Sequence, residues 1–268
     1  MTVASRAVIE LDALGGQAGA DVIRALTDDT AAAVRVENLV SSAACDHLAR
    51  QLVDSTQVIE HADVEGLRVI GPSHFQAVRN PALRGRYVGD AAANASRLRA
   101  MASPYASPFD VALAFLTQLW PAGCHIARLP SEGGLTPFTI RIYGSGVGIE
   151  PHQDVLAAES PGDPVARGLS SQFGANVYLS TSDSGGELEL FETRYSDDDL
   201  ADLSGGPRSY SRDDLGPAVT IQPRPGELIF FPSRRVHSVA ATVGSTPRVT
   251  VSFFIGLSEP SAPLMVWA

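Results

Sequence analysis

Pro151-His152-Gln153-Asp154 places an imidazole and a carboxylate two residues apart. In an extended segment, side chains at i and i+2 leave the same face, so His152 and Asp154 can share one cation. His237 is the natural third donor. It follows Gly226-Glu-Leu-Ile-Phe-Phe-Pro232, an apolar strand ending in a proline turn, and it opens the next short strand. Two imidazoles and one carboxylate on one side of a metal suit Fe(II), and they leave coordination positions open for a cosubstrate and dioxygen (O2). Arg248 lies eleven residues further on (237 to 248). A dicarboxylate that chelates a metal through a 2-oxo acid end needs a cation for its far carboxylate, and arginine's planar fork pairs best with one. Thr250, two residues on and on the same face, adds a hydroxyl for that carboxylate.

Such donors need strands to aim them. From about Phe138 the chain breaks into short alternating runs bounded by Gly, Pro, Ser and Asp: Phe138–Tyr143, Phe173–Leu179, Glu187–Phe191, Ala218–Ile221, Glu227–Phe231, His237–Thr242 and Arg248–Ile255. Many short strands with turns between them indicate an all-β sandwich or barrel. Alternation also sorts the faces. Thr139, Arg141 and Tyr143 oppose Phe138, Ile140 and Ile142; Asn176 and Tyr178 oppose Ala175, Val177 and Leu179; Arg248, Thr250 and Ser252 oppose Val249, Val251 and Phe253. Three strands with one polar and one apolar face predict a polar cavity inside the barrel and helices packed outside it. Gly144-Ser-Gly146-Val-Gly148 reads as a turn into the ligand strand, since no helix follows it as a phosphate-binding loop requires.

The first part of the chain reads mainly helical. Helices are expected over Ala43–Val53, Asp90–Met101 (with Asp90 as a possible N-cap) and Asp110–Leu119, and a short strand at Leu67–Ile70. The stretch Ser196–Leu215, rich in Asp, Ser, Gly and Arg, reads as a long surface loop. The expected fold is mainly β with flanking α-helices. Its core is a double-stranded β-helix, jelly-roll or cupin-like, with an N-terminal helical region. We expect one domain over 1–268: a helical part at 1–130 packed on the barrel, the catalytic core at 131–258 and a tail at 259–268.

Composition narrows the function classes. The chain has 268 residues, of which 44% are hydrophobic, enough for a sizeable core, and a formal charge of −10 that argues against nucleic acid as a partner. All twenty basic residues are arginine. Without lysine, Schiff-base chemistry and a phosphate-loop lysine are excluded. Cys45 and Cys124 lack the number and spacing of a disulfide framework or metal site and are expected to be reduced. No apolar run is long enough to span a bilayer, and the start of the chain lacks the pattern of a secretory signal, so a cytoplasmic protein without membrane contact is expected. Nothing in the sequence determines an oligomeric state.

The order His-x-Asp, distal His, then Arg about ten residues later resembles the Fe(II)/2-oxoglutarate-dependent dioxygenase superfamily. The strands Gly185-Gly-Glu-Leu-Glu-Leu190 and Gly226–Pro232 are similar to that family's as well. The resemblance covers Phe138 to about Leu257. Val69-Ile-Gly-Pro-Ser-His-Phe75 and Trp120-Pro-Ala-Gly123 look like a subgroup acting on freestanding small molecules, comprising hydroxylases of amino-acid derivatives and aliphatic halogenases. The resemblance implies Fe(II) on His152, Asp154 and His237, with 2-oxoglutarate on Arg248. It implies oxidation of an unactivated C–H bond coupled to decarboxylation of 2-oxoglutarate to succinate and CO2. In the halogenases a small residue at the carboxylate position makes room for chloride. Asp154 fills that position here, so hydroxylation is expected.

Other candidates divide between site and scaffold. Arg141, Tyr143 and Asn176 face the inferred cavity, where they would touch cosubstrate or substrate. Arg167, in the loop after the ligand pair, is placed to clamp a substrate carboxylate. His74 either lines the substrate pocket or, more simply, is structural, as His125 is. A second His-x-Asp, His61-Ala62-Asp63, has no strand series or partner His with a trailing arginine after it, and His61 reads as a surface or structural residue. The expected partner is a small molecule, an amino acid or its derivative. A protein side-chain hydroxylase of the same superfamily and a cupin-like non-oxidative metal-binding or ligand-sensing protein are the competing readings.

Overall fold

A computed structural model of the chain describes residues 6–14, 19–129, 133–160, 162–193 and 210–268. Its core is two facing β-sheets. The larger, ten-stranded sheet runs Ala7–Asp12, Ala31–Glu37, Leu228–Pro232, Ser171–Ser180, Arg248–Leu257, Thr139–Tyr143, Leu67–Ile70 and Ile59–Glu60, with Leu264–Trp267 and Cys124–Ile126 joined off this path. The smaller, four-stranded sheet runs Ala218–Ile221, Leu188–Phe191, His237–Val239 and Ile149–His152. The central strands, although far apart in sequence, pair antiparallel, as a double-stranded β-helix requires, while Leu264–Trp267 pairs parallel with Cys124–Ile126.

The two faces of the large sheet are used as the alternation predicts. Ile140, Ile142, Val177, Val249, Val251 and Phe253 pack against helices through Leu48, Leu52, Leu98, Phe109 and Leu116. The opposite face pairs Arg248 with Tyr143, Thr250 with Arg141 and Ser252 with Thr139, and Asn176 with Ser252 on the other side. That polar face looks toward the small sheet.

The helix carrying Phe109, Pro108–Leu119, begins with proline, whose missing N–H costs nothing at that position. Phe109 is 1% exposed, with its ring 5.2 Å from Phe138 and 5.6 Å from Phe253 between centroids. Phe109→Ala should therefore lower the unfolding free energy by about 3–5 kcal/mol. A lower urea midpoint at unchanged slope is the measurement that checks it.

Several elements depart from the sequence reading. The first part holds the expected helices, as Ser42–Val53, Ala91–Ala102 and Pro108–Leu119, and the strand Leu67–Ile70, but it also supplies the strands Ala7–Asp12 and Ala31–Glu37. In Ala31–Glu37 the first four residues are all buried, because Val34 packs on the helix side while Ala32 and Ala33 pack between the sheets. A strand covered on both faces loses the period-two signal. Residues 259–268, expected as a tail, contain the strand Leu264–Trp267. The strand beginning at His237 ends at Val239, three residues earlier than expected.

Asp90 stands at the N-cap of Ala91–Ala102 but its side chain makes no capping bond, since its backbone is already helical. Ser41 and Ser73, with extended backbones, do cap their helices. Of the expected Ser196–Leu215 loop, residues 196–209 lie outside the described residues; Arg212–Asp214 forms a short 3-10 turn. Cys45 and Cys124 are free thiols, and burial pushes both up to about 12. Among the described residues no helix is long and apolar enough to cross a membrane.

Candidate metal centre

His152 and His237 face each other across two antiparallel strands of the small sheet, in direct register. Their rings are 4.3 Å apart between centroids. Asp154 follows just past the end of the ligand strand, and its Oδ2 lies 3.7 Å from His152 Nε2 and 3.4 Å from His237 Nε2. The three donor atoms lie within 4.8 Å of one another, and this is the single such group of His, Cys, Asp and Glu among the described residues.

The ring orientations follow from the backbone. His152 Nδ1 donates to Glu150 O at 2.8 Å, and His237 Nδ1 donates to Arg235 O at 2.8 Å. A carbonyl can only accept, so each Nδ1 carries a proton, and Nε2 is the atom each ring turns toward Asp154 and, when neutral, can offer to a metal. Burial alone would raise the Asp154 carboxyl, but the facing imidazoles outweigh it and hold the group well below its usual range. Burial opposes protonation of His152, yet the Asp154 carboxylate wins and raises it. His237 is lowered by burial and by the charge of His152. The resulting carboxylate with two imidazoles is the donor set that sequence spacing proposed, and its chemistry fits a divalent first-row metal such as Fe(II).

Neighbouring side chains clamp the backbone around Asp154. Its N–H donates to Ser233 O at 3.0 Å, and its carbonyl accepts from Ser233 Oγ at 2.8 Å and Gln172 Nε2 at 3.2 Å. Gln172 Oε1 in turn accepts from Leu156 N–H, and Glu159 Oε1 accepts from Val155 N–H. Ser238, next to His237, donates to Glu189, which pairs with Arg212 at 2.7 Å. Sequence reading missed Gln172, Ser233 and Glu189, because single polar residues carry no pattern until the chain is folded.

Burial and the charge of Asp154 push the Glu159 carboxyl up to about 7, from an ordinary 4.5. Below pH 4.5 the group is protonated whether the chain is folded or not, and folding bears no penalty. As pH rises toward 7 the unfolded chain ionises first, so the folded state loses stability relative to it. Glu159→Gln, which keeps the acceptor for Val155, should match wild type below pH 4.5 and be more stable above pH 7. Urea denaturation of metal-free protein across this range checks it.

Arg248 is 1% exposed and shares a cavity with the triad. Its guanidinium lies 4.4 Å from the centroid of Tyr143 and 5.0 Å from that of Tyr178, whose hydroxyl accepts from Nη2 at 3.5 Å. Nε and Nη1 are buried with no hydrogen-bond partner among the described residues. A buried cation without an anion is costly, and a carboxylate from outside the chain would offset that cost. Gly186, at φ +74°, leaves room for it: a Cβ there would stand 3.1 Å from Arg248 Cδ.

Of the other candidates, Arg141, Tyr143 and Asn176 line the same cavity. Thr250 is fully buried and shares a 3.0 Å hydrogen bond with Ser252, which itself donates to Asn176 Oδ1. Tyr178, on the same alternating face as Asn176, is the aromatic that the face pattern named without assigning it a site role. Two candidates lie elsewhere. Arg167 is exposed and donates to Gly162 O, and His74 is buried against Asp163 at 2.9 Å. His61 is not part of the donor group; its Nδ1 accepts from Asp63 N–H, and burial and the charge of Arg141 lower it. A cleft of about 530 Å3 opens beside Asp154, walled by Leu26, Ala157, Gln172, Phe173 and Arg235.

Over residues 6–268 the chain matches the family described as carrier-protein-independent halogenase WelO5. Among solved structures it is similar to an N-substituted L-amino acid dioxygenase from Burkholderia ambifaria AMMD, with 17% identity and a TM-score of 0.60 over 93% of this chain and 91% of that one. It is also similar to a structure so described in complex with alpha-KG, with 18% identity and a TM-score of 0.62 over the same shares. At these identities the likeness concerns the fold. A search of curated proteins finds no match.

Proposed function

Because the chain belongs to the WelO5 family of the Fe(II)/2-oxoglutarate oxygenase superfamily, we propose that it is an oxygenase hydroxylating an unactivated C–H bond of a small molecule, an amino acid or its derivative. The observation that carries this reading is the pairing of two features in one cavity: a convergent His152, Asp154, His237 donor set and the buried, anion-free Arg248. A cupin-like isomerase or a silent metal-binding domain has no use for the second feature.

His152, Asp154 and His237 would hold Fe(II), and Arg248 with the Tyr178 hydroxyl would hold the far carboxylate of 2-oxoglutarate. Bound together, these groups supply the activation of dioxygen that is coupled to decarboxylation of 2-oxoglutarate to succinate. The chain's own residues bind and orient. The carbonyls of Glu150 and Arg235 keep both Nδ1 protons in place, Ser233 and Gln172 hold the Asp154 backbone, and Tyr143 and Tyr178 shield Arg248 from water. The cleft beside Asp154 has the size of a small-molecule site, which favours such a substrate over a polypeptide side chain. The similar dioxygenase acts on N-substituted L-amino acids, and we assign the same broad class here.

The family's name favours a second outcome, halogenation. Asp154 argues against it, because its carboxylate occupies the ligand position that halogenases leave small for chloride. Anaerobic addition of Fe(II) and 2-oxoglutarate should give the visible charge-transfer band of a chelated 2-oxo acid. Metal binding without that band would overturn the oxygenase reading. Turnover in chloride should give a product heavier by one oxygen; a chlorinated product from the wild-type protein would establish halogenation instead.

A further inference from the structure

Two guanidinium groups, Arg248 and Arg141, line the cavity that holds the triad. They leave the same face of the large sheet on neighbouring rungs, since Tyr143 pairs with Arg248 and Arg141 with Thr250. Consecutive same-face rungs are roughly 7 Å apart along a strand. Arg248 has a role in the reading above. Arg141 has none.

Arg141 is half-buried and forms no hydrogen bond or ion pair with any described residue. If the proposed function holds, the two charges of Fe(II) and those of 2-oxoglutarate cancel, and Asp154 offsets Arg248. Both carboxylates of 2-oxoglutarate are then assigned, one at the metal end and one at Arg248. The positive charge left over in the cavity is that of Arg141, beside the polar side chains of Thr139, Asn176 and Ser252.

We propose that Arg141 anchors a carboxylate of the primary substrate, so that the enzyme acts on carboxylic acids such as N-acylated amino acids. Asp154 lines both this cavity and the neighbouring cleft. An acid held at Arg141 therefore extends past the metal ligands, with the rest of the molecule toward the cleft. Arginine's two-pronged fork suits a planar carboxylate and discriminates against the uncharged amide.

This rests on the function proposed above, and one experiment separates the two. Protein loaded anaerobically with Fe(II) and 2-oxoglutarate is titrated calorimetrically with a set of aliphatic and aromatic carboxylates, N-acetyl-L-amino acids included. Each acid is paired with its carboxamide, and the charge-transfer band is followed in the same samples. The acids that bind should do so about tenfold or more tightly than their amides, the factor expected for a charge-assisted hydrogen bond. Arg141→Gln should bring acid and amide to equal affinity and Arg141→Lys should restore part of the difference, with the 2-oxoglutarate Kd and the band unchanged in both. Three results would overturn the proposal: wild type binding amides as tightly as acids, wild type binding no acid of the set, or Arg141→Gln weakening 2-oxoglutarate instead of the acid. A missing band in wild type sinks the oxygenase reading. An intact band without acid discrimination sinks only the role of Arg141.

Discussion

His237→Ala is expected to abolish succinate release and weaken Fe(II) binding by about 100-fold or more, since even the outer hydrogen-bond partners of a metal ligand are worth 10–100-fold. His61→Ala should leave both unchanged. The two residues carry the same chemistry and differ in company. His237 Nε2 lies 3.4 Å from Asp154 and in register with His152, whereas His61 belongs to no three-residue donor group among the described residues. His237 is buried against Phe231, with ring centroids 4.8 Å apart, so circular dichroism should accompany the assay to show that the variant is folded. Anaerobic equilibrium dialysis of Fe(II) and the charge-transfer band are the readouts. A folded His237→Ala protein that keeps the band would remove His237 from the centre.

Arg248→Met should raise the Kd for 2-oxoglutarate steeply. Breaking a buried, hydrogen-bonded charge pair costs about 2–5 kcal/mol, roughly thirty-fold to a few thousand-fold in affinity. The same substitution should leave the ligand-free protein at least as stable as wild type. In the absence of an anion, Arg248 keeps Nε and Nη1 buried without partners, and its compensation comes from the faces of Tyr143 and Tyr178 and one long bond to the Tyr178 hydroxyl. Methionine of similar length removes the desolvated charge and still packs between the rings. Thermal unfolding with and without 2-oxoglutarate tests both halves: stabilisation by the ligand in wild type, and its loss in the variant. A variant that is destabilised without ligand and still stabilised by 2-oxoglutarate would show Arg248 to be structural.

Much of the fold was legible in the chain because local rules govern it. Leu67–Ile70 and Ala218–Ile221 occupy the residues that alternation marks, and the helices near Ser42, Ala91 and Pro108 follow from apolar spacing and the absence of breakers. The failures have physical causes. Ala31–Glu37 is packed on both faces and shows no alternation, and Leu264–Trp267 is too short to be told from a tail until it pairs with Arg248–Leu257. The site divides similarly. Arg141, Tyr143 and Asn176 reached the cavity because the face of a strand residue is a local property. Arg167 and His74 did not, because where a loop or a helix start points depends on what packs against it.

The sequence by itself determined which donors are available and which side of its strand each one takes: His152 and Asp154 by their spacing of two, Arg248 by its place on a polar face. Tertiary structure alone decided that His237 meets His152, since a contact spanning 85 residues depends on strand register, which no local pattern encodes. It also decided that Arg248 lies buried with no carboxylate partner among the described residues and that Arg141, likewise without one among them, lines the same cavity. Desolvation and the absence of a partner are properties of a closed cavity, and a cavity exists only once both sheets have come together.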